Sequence, residues 1–233
     1  MRAGPVAVMN VAFAAFALTM LAAATAGAQG RRAELNGVWI LADTPTIEMT
    51  LTPAGEAARA AYNYLTDDPG MQCIPATITR VMHTPSPPIE VRLRDTEVEI
   101  NYEFMDVRRR VPMAPGLAPA KAPPAVAKWP HLGRSAAHWD GDVLVIETVD
   151  HRAGVLDTLG APGLAQSVQM RTEERFIPAG NRMRVVVTHY DPVYYAQPLV
   201  VTFRYLKLPD GEILPWDCTP EKANYVQFPE RGK

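Results

Sequence analysis

The stretch VQMRTEERFIPAGNRMRVVVTHY, residues 168–190, decides the fold class of this 233-residue chain. Polar and apolar residues alternate on both sides of a segment that contains proline, glycine and asparagine. The pattern predicts two antiparallel β-strands, at 168–176 and 183–189, joined by a turn at 178–181. Because successive side chains of a strand point to opposite faces, each strand has one apolar face. Each apolar face contains one ionisable residue, Glu174 in the first strand and His189 in the second.

Glu174 and His189 form a candidate site, because burial of ionisable groups costs free energy unless they are paired or used in chemistry. A third inward polar group is Tyr102, on a strand predicted at 97–104. In a catalytic interpretation, the carboxyl group and the imidazole exchange protons with a substrate, and Tyr102 donates a hydrogen bond to a developing oxyanion. Such a trio could perform isomerase, cyclase or lyase chemistry without a cofactor. The alternative is a structural polar cluster or ion pair.

Further segments with the same alternation predict an all-β protein. The other predicted strands cover residues 36–41, 89–94, 97–104, 134–139, 142–149 and 199–206. One short helix is predicted after Thr52, a suitable N-cap that precedes Pro53. About seven to nine antiparallel strands with regular turns and a short N-terminal helix indicate a closed or nearly closed barrel.

The clearest hairpin signal is Asp140-Gly141, between two strand patterns. A two-residue turn at these positions places Trp139 opposite Asp142 and Arg134 opposite Glu147. The charged pair indicates a solvated face, which includes His138. Residues Ser135, Ala137, Leu144 and Ile146 are then expected to face the core.

The N-terminus is typical of a signal peptide. Arg2 precedes an almost wholly apolar run at 6–24, and Ala26-Gly27-Ala28 fits the small-residue cleavage rule. We expect cleavage after Ala28, export to the periplasm or the medium, and no stable membrane span afterwards; an uncleaved anchor is the alternative. Residues 29–233 are expected to form a single β-barrel domain with a Pro/Ala-rich loop at 112–130, either a lid or an irregular connection.

Charge and cysteine content exclude several functions. The net charge of −2 becomes one unit more negative after removal of residues 1–28, so nucleic acid is not an expected partner. Cys73 and Cys218 are the two cysteines, and export favours a disulfide between them over a metal or catalytic role. The histidines show no metal-ligand spacing, and no Gly-x-Ser-x-Gly or phosphate-binding motif is present. We expect no metal and no cofactor.

Four further residues near strand ends are candidate ligand-binding groups. They are His83, Arg108, Asp150 and His151. In a barrel these positions lie near the mouth, where they could orient a ligand or bind its anionic part. The alternative is a set of surface histidines and a solvated charge run.

Gly37-x-Trp39, followed by an antiparallel meander with Arg204 on a late strand, resembles the calycin superfamily. The lipocalin members of that superfamily pack the tryptophan beneath a late-strand arginine at the closed end of the barrel. The resemblance implies the same packing of Trp39 beneath Arg204. It also implies a lipocalin-like fold that binds small molecules.

The chain from about Gly37 to Cys218 resembles a second group, exported bacterial proteins with a Gly-x-Ser-x-x-x-Trp-[Asp/Glu]-Gly-Asp-x-Leu-Val-[Val/Ile]-[Asp/Glu]-Thr motif, which residues 133–148 match. That group has no general assigned activity, so this resemblance implies export and fold. The chain has His138 where arginine is usual in the group. It also has 163–167 where a His-Ser-Glu-like run is common.

These observations predict an exported, disulfide-linked, lipocalin-like barrel that holds an apolar small molecule with a few polar anchors. The alternative is a cofactor-free acid/base enzyme that acts on an apolar small molecule in the same barrel. A third possibility is an inert envelope or interaction domain whose interior is filled by side chains. A cavity of several hundred Å³ beside Tyr102, Glu174 and His189 would be evidence against this third possibility (about 300–1,000 Å³ for ligand pockets).

Overall fold

The computed structural model describes residues 30–83, 87–114, 132–157 and 163–219, and most of the regular structure is antiparallel sheet. The twelve strands are β1 (Gly37–Leu41), β2 (Thr46–Leu51), β3 (Ile89–Leu93), β4 (Glu97–Tyr102), β5 (Val107–Pro112), β6 (Arg134–Asp140), β7 (Val143–Val149), β8 (Gly154–Asp157), β9 (Leu164–Gln166), β10 (Arg171–Ala179), β11 (Arg182–Tyr190) and β12 (Tyr195–Leu208).

Nine of these strands form a nearly closed barrel in the order β5-β4-β3-β1-β12-β11-β10-β7-β6. The first strand pairs with the last, since Trp39 lies opposite Lys207. An odd number of strands cannot close with antiparallel pairs alone, and β5 and β6 meet in a parallel bridge between Met113 and Ala137. There the Ala114 amide donates to the Ala137 carbonyl at 2.7 Å. The barrel prediction is therefore confirmed.

The remaining strands extend this barrel. β2 pairs with the first half of β12, and β8 and β9 form a separate two-stranded sheet. Neither β2 nor β5 was predicted from the sequence. β10 begins at Arg171 rather than at 168, and Val168 is exposed instead of facing inward.

Three short α-helices lie between β2 and β3. They are α1 (Pro53–Ala61), α2 (Tyr64–Asp67) and α3 (Ile78–His83). The predicted N-cap is confirmed, because the Thr52 hydroxyl accepts a hydrogen bond from the Gly55 amide at 3.0 Å. Helices α2 and α3 were not predicted. Among the described residues, no helix combines the length and apolar character needed to cross a membrane.

Large side chains fill the barrel interior. The largest that are fully buried are Trp39, Tyr102, Phe176, Phe203 and Tyr205. The predicted inward positions Ala137, Leu144 and Ile146 are also buried in this core. The predicted disulfide between Cys73 and Cys218 is present and joins the segment before α3 to the C-terminal segment.

The β6–β7 hairpin differs from its predicted register by two residues. Asp140 pairs with Val143, so the turn consists of Gly141 and Asp142, and Arg134 lies opposite Val149 instead of Glu147. A shift of two residues preserves the faces, because side chains alternate with a period of two. The inward positions were therefore predicted correctly, whereas the Arg134–Glu147 pair was not.

Trp39 packs against a different cation from the one that the calycin resemblance implies. The Lys207 ammonium lies 4.8 Å from the centroid of the Trp39 ring and donates to the Glu34 carbonyl at 2.7 Å. Arg204 instead lies on the outer face, 3.4 Å from Asp43. Residues 1–29 and 115–131, with the signal peptide and most of the Pro/Ala-rich loop, lie outside the described residues.

Candidate functional site

Glu174 is bound by an arginine that reaches it from the far side of the barrel seam. The Arg109 guanidinium donates to both carboxylate oxygens of Glu174, at 2.7 and 2.8 Å. It also donates to the hydroxyls of Ser135 and Thr148, at 2.8 and 3.0 Å. Four strands, β5, β6, β7 and β10, thus contribute side chains to one buried ionic cluster.

Arg109 faces inward because it shares the alternating row of Val107 and Val111, which are buried. Burial, the largest single effect, would lower the pKa of Arg109, but the Glu174 charge and its hydrogen bonds, together with the nearby Tyr102, raise that pKa above its usual value. The arginine therefore stays charged and neutralises the carboxylate. The sequence contained this signal, an ionisable residue in an apolar row, although the consecutive arginines at 108–110 obscured it.

Arg108, the arginine predicted to bind ligand, lies on the opposite face of β5. Its guanidinium donates to the Tyr102 carbonyl at 3.0 Å and pairs with Asp106 at 2.6 Å. A residue in an alternating strand cannot share the inward face of its neighbour. The structure therefore brings Arg109 to the interior in place of Arg108.

Tyr102 points inward as predicted and is fully buried. Burial and the neighbouring Glu174 charge raise the pKa of its hydroxyl, although Arg109 opposes this increase. Among the described residues, the hydroxyl has no hydrogen-bonding partner within bonding geometry. Tyr102 is not one of the residues around the cavity that Glu174 and His189 line.

His189 belongs to a chain of hydrogen bonds that was not predicted. Its Nε2 lies 2.8 Å from the Thr79 hydroxyl of helix α3, and its Nδ1 lies 2.9 Å from the Thr172 hydroxyl. The same Thr172 oxygen lies 3.2 Å from Nε2 of His151. The His151 ring makes a further hydrogen bond to the backbone of Thr148. The chain thus joins α3 to β11, β10 and the end of β7.

Both imidazoles are neutral at pH 7. Burial, followed by repulsion from the neighbouring His151, lowers the pKa of His189 to about 3. Burial and the charge of Arg109 lower the pKa of His151 to about 4, against the raising effect of the Thr148 hydrogen bond and of the Asp150 and Asp191 charges. Neutral rings are consistent with partners that are hydroxyls rather than carboxylates.

The other candidates differ in position. His151 is buried and lines the cavity, as the ligand-binding prediction requires. Asp150 does not line the cavity, because its side chain is exposed and forms an ion pair with Arg134 at 2.9 Å. The side chain of His83, at the end of α3, lies outside the described part of the chain.

Gly133 has a backbone conformation and surroundings that favour glycine at this position. Its φ is +80°, and an added Cβ would lie 2.6 Å from the Val149 carbonyl oxygen and 3.3 Å from Nδ1 of His151. Glycine at position 133 therefore permits the close approach of β6 to the segment that carries His151.

The other end of the β6–β7 hairpin contacts the N-terminal segment through Arg32. The Arg32 guanidinium lies 4.6 Å from the Trp139 ring centroid and donates to the Gly141 carbonyl at 2.6 Å.

Glu174, His151 and His189 line one small cavity of about 20 Å³ between α3 and the barrel wall. This volume is sufficient for about one water-sized group. Four threonines complete the polar lining, namely Thr77, Thr79, Thr148 and Thr172. The apolar part of the lining comes from Ile78, Leu132, Met170 and Val187. The space that the described residues leave is far smaller than the several hundred Å³ of the sequence-based expectation.

The cavity has no net charge of its own, since Arg109 neutralises Glu174 and both histidines are neutral. Its polar groups can therefore hold a neutral polar group by hydrogen bonds. Among the described residues, no group of three or more His, Cys, Asp or Glu side chains is arranged to hold a metal ion.

Comparisons with known proteins give structural similarities only. No family model matches the chain, and neither does any curated protein. Among solved structures, the REP1-NXSQ fatty acid transporter has a TM-score of 0.39 and 12% identity over 77% of this chain and 99% of its own. Two point mutants of the fluorescent protein UnaG have TM-scores of 0.38 and 0.40, at 14% and 12% identity, each over 76% of this chain and 98% of its own. These TM-scores are too low to support conclusions about fold or function.

Proposed function

We propose that the protein binds a small molecule in its barrel, with the polar end of the ligand in the cavity beside Thr172, Glu174 and His189. The observation that carries this proposal is the concentration of seven polar side chains around one small space beside the apolar core. Burial of polar groups is costly, and proteins retain such clusters where a ligand or a structural network uses them.

The size of the cavity limits how the ligand sits. About 20 Å³ accommodates a terminal group, not a whole organic molecule. The apolar part of the ligand would contact Ile78, Leu132 and Met170, which form the apolar side of the same space. These side chains would have to turn aside for a larger ligand, and methionine and leucine can adopt several rotamers.

The acid/base alternative has weaker geometric support. Glu174 and His189 do line the same cavity, as that alternative requires. However, Arg109 donates to both oxygens of Glu174, so neither oxygen can contact a substrate without giving up part of this ion pair. Tyr102, the third member of the proposed trio, is not one of the residues that line this cavity. The geometry therefore favours binding over proton transfer.

We also infer that the protein is exported and that residues 1–28 are removed. The Cys73–Cys218 disulfide supports an oxidising compartment, because disulfides persist where thiols are not kept reduced. The signal-peptide pattern of the first 28 residues supports the same conclusion. N-terminal sequencing of the protein recovered from the periplasm and the medium tests both inferences.

Native mass spectrometry tests the binding proposal. The protein purified from an exporting host is expected to carry a co-purified small molecule, and Thr172→Val is expected to lose it. Thr188→Val is the matched control, because Thr188 lies on β11 beside His189 but on the outward face. Retention of no ligand by the wild type, with all three proteins folded by circular dichroism, would favour the inert barrel over the binding proposal.

A further inference from the structure

We infer that the cavity selects a ligand with a hydroxyl group, because the direction of the hydrogen-bond chain leaves mainly acceptors facing the ligand. This inference rests on the proposed binding function and specifies the class of ligand. It depends on where each proton of the His–Thr chain must lie, which follows from the partners of each atom.

The direction of the chain is fixed at its His151 end. The ring contacts Thr172 through Nε2, and its other hydrogen bond is to the backbone of Thr148. A hydrogen bond that raises the pKa of an imidazole is one that the ring donates, and Nδ1 is the ring nitrogen beside the 148–149 backbone, so Nδ1 carries the proton of this neutral imidazole. Nε2 of His151 is then an acceptor, and the Thr172 hydroxyl must donate to it.

The rest of the chain follows from this assignment. The Thr172 hydroxyl has one proton, which it gives to His151, so its oxygen accepts from Nδ1 of His189 at 2.9 Å. A neutral imidazole has one N–H, and Nε2 of His189 is therefore an acceptor. The Thr79 hydroxyl donates to that nitrogen at 2.8 Å. Both histidines thus have the Nδ1–H tautomer.

No proton of this chain is left for a ligand. The oxygens of Thr79 and Thr172 retain lone pairs on the cavity side, and the Glu174 carboxylate can only accept. A ligand group placed between these three residues must therefore donate a hydrogen bond. Ethers, ketones and carboxylates have no proton to donate, so the cavity disfavours them.

The opposite end of the cavity supplies one donor. The hydroxyls of Ser135 and Thr148 lie 2.8 Å apart, and only one of their two protons is used between them. Either hydroxyl can be the donor of that bond; when Ser135 donates, the Thr148 proton stays free, and Thr148 is the one of the two that lines the cavity. A hydroxyl group matches this arrangement, because its proton can go to Thr79, Thr172 or Glu174 while its oxygen accepts from Thr148. A hydroxyl is also small enough for a space of about 20 Å³.

Two-bond ¹H–¹⁵N NMR correlations of the histidine rings test the proton positions in the ligand-free protein. Protonated Nδ1 and unprotonated Nε2 are expected for both His151 and His189 at pH 7. Protonated Nε2 on either ring would reverse the chain and overturn the inference, whatever the protein binds. Thr172→Val should shift the signals of both rings, whereas the outward control Thr188→Val should shift neither.

A matched pair of probes tests the ligand class. Octan-1-ol and methyl heptyl ether have equal chain lengths, and only the alcohol donates a hydrogen bond. Saturable shifts of the His189 ring nitrogens are expected with the alcohol, at a dissociation constant at least tenfold lower than with the ether. Equal binding of the two probes would overturn the selectivity for a hydroxyl and leave the binding function intact. Binding of neither probe, together with a protein that carries no ligand in native mass spectrometry, would reject both.

Discussion

Arg109 holds both carboxylate oxygens of Glu174 across the seam of the barrel, with nitrogen–oxygen distances of 2.7 and 2.8 Å. The pair joins β5 to β10, while further bonds from Arg109 reach β6 and β7. In the described part of the chain, β5 and β6 are joined by one short parallel bridge, so this ionic cluster supplies side-chain contacts where backbone pairing is sparse. The interior ion pair thus contributes to closure of the barrel as well as to the cavity.

Removal of one member of this pair is expected to destabilise the fold strongly. Glu174→Leu or Arg109→Met alone should cost about 3–5 kcal/mol, because each leaves a buried charge without its partner. The double variant Arg109→Met/Glu174→Leu should cost less than the two single variants together. Urea denaturation measures these free energies of unfolding. As a control, Asp140→Asn, which removes the exposed Arg175–Asp140 pair, should change the free energy of unfolding little. If the costs of the two interior single variants added up to the cost of the double variant, Arg109 and Glu174 would not be directly coupled.

The sequence predicted Glu174 as an inward ionisable residue but not its partner. The period-two pattern of 168–190 identifies the strand face, which is a local property of the chain. The partner lies 65 residues away on β5, a contact that depends on how the barrel closes. In β5, Arg109 lies between Val107 and Val111 in the apolar row, and Arg108 and Arg110 lie on the other face. The three consecutive arginines therefore resemble a solvated charge run.

The hairpin shows the same limit on a smaller scale. Asp140-Gly141 predicts a type I′ turn from residue preferences, whereas the observed turn is Gly141-Asp142. Both turns use Gly141, whose φ is +62°, so the glycine does not decide between them. Ion pairs formed by Asp140 with Arg175 and by Asp142 with Arg31 are present in the observed register. These tertiary partners cannot be identified from the hairpin sequence alone.

Stability should fall as the pH decreases below the ordinary range of histidine. The pKa of His189 is lowered to about 3 and that of His151 to about 4 from the ordinary histidine value of 6.5, so the unfolded chain binds more protons between these values. Each neutral histidine then contributes a slope of about 1.4 kcal/mol per pH unit, with stability lost towards acid.

The comparison of wild type with His189→Gln isolates this contribution. Between pH 6.5 and pH 5, the wild type should lose stability more steeply than the variant, because the variant lacks the imidazole that the unfolded chain protonates in this range. Urea denaturation at a series of pH values measures both slopes. Parallel slopes would show that His189 is not held neutral by the fold.

Lys207 is expected to stabilise the end of the barrel through Trp39. Its ammonium group lies over the tryptophan ring at 4.8 Å and donates to the Glu34 carbonyl at 2.7 Å, so it combines a cation–π contact with a hydrogen bond. Lys207→Met should lower the free energy of unfolding by about 1–2 kcal/mol. Arg204→Met should cost much less, because the Arg204–Asp43 pair is half exposed. Equal costs of the two variants would contradict the assignment of Lys207 as the cation that packs on Trp39.

Gly133 is expected to be required for the position of His151, and not only for local backbone geometry. Gly133→Ala places a Cβ 2.6 Å from the Val149 carbonyl oxygen and 2.8 Å from Thr148 Cγ2, in a conformation with a φ of +80°. Gly141→Ala has a similar φ of +62° but meets nothing within 4 Å. The control should therefore cost about 1–2 kcal/mol from the left-handed conformation alone, whereas Gly133→Ala should cost clearly more. The ¹⁵N signals of the His151 ring should also move in Gly133→Ala and remain unchanged in Gly141→Ala. Equal destabilisation by the two variants, with unchanged His151 signals in both, would mean that the motif glycine has no role in positioning the cavity.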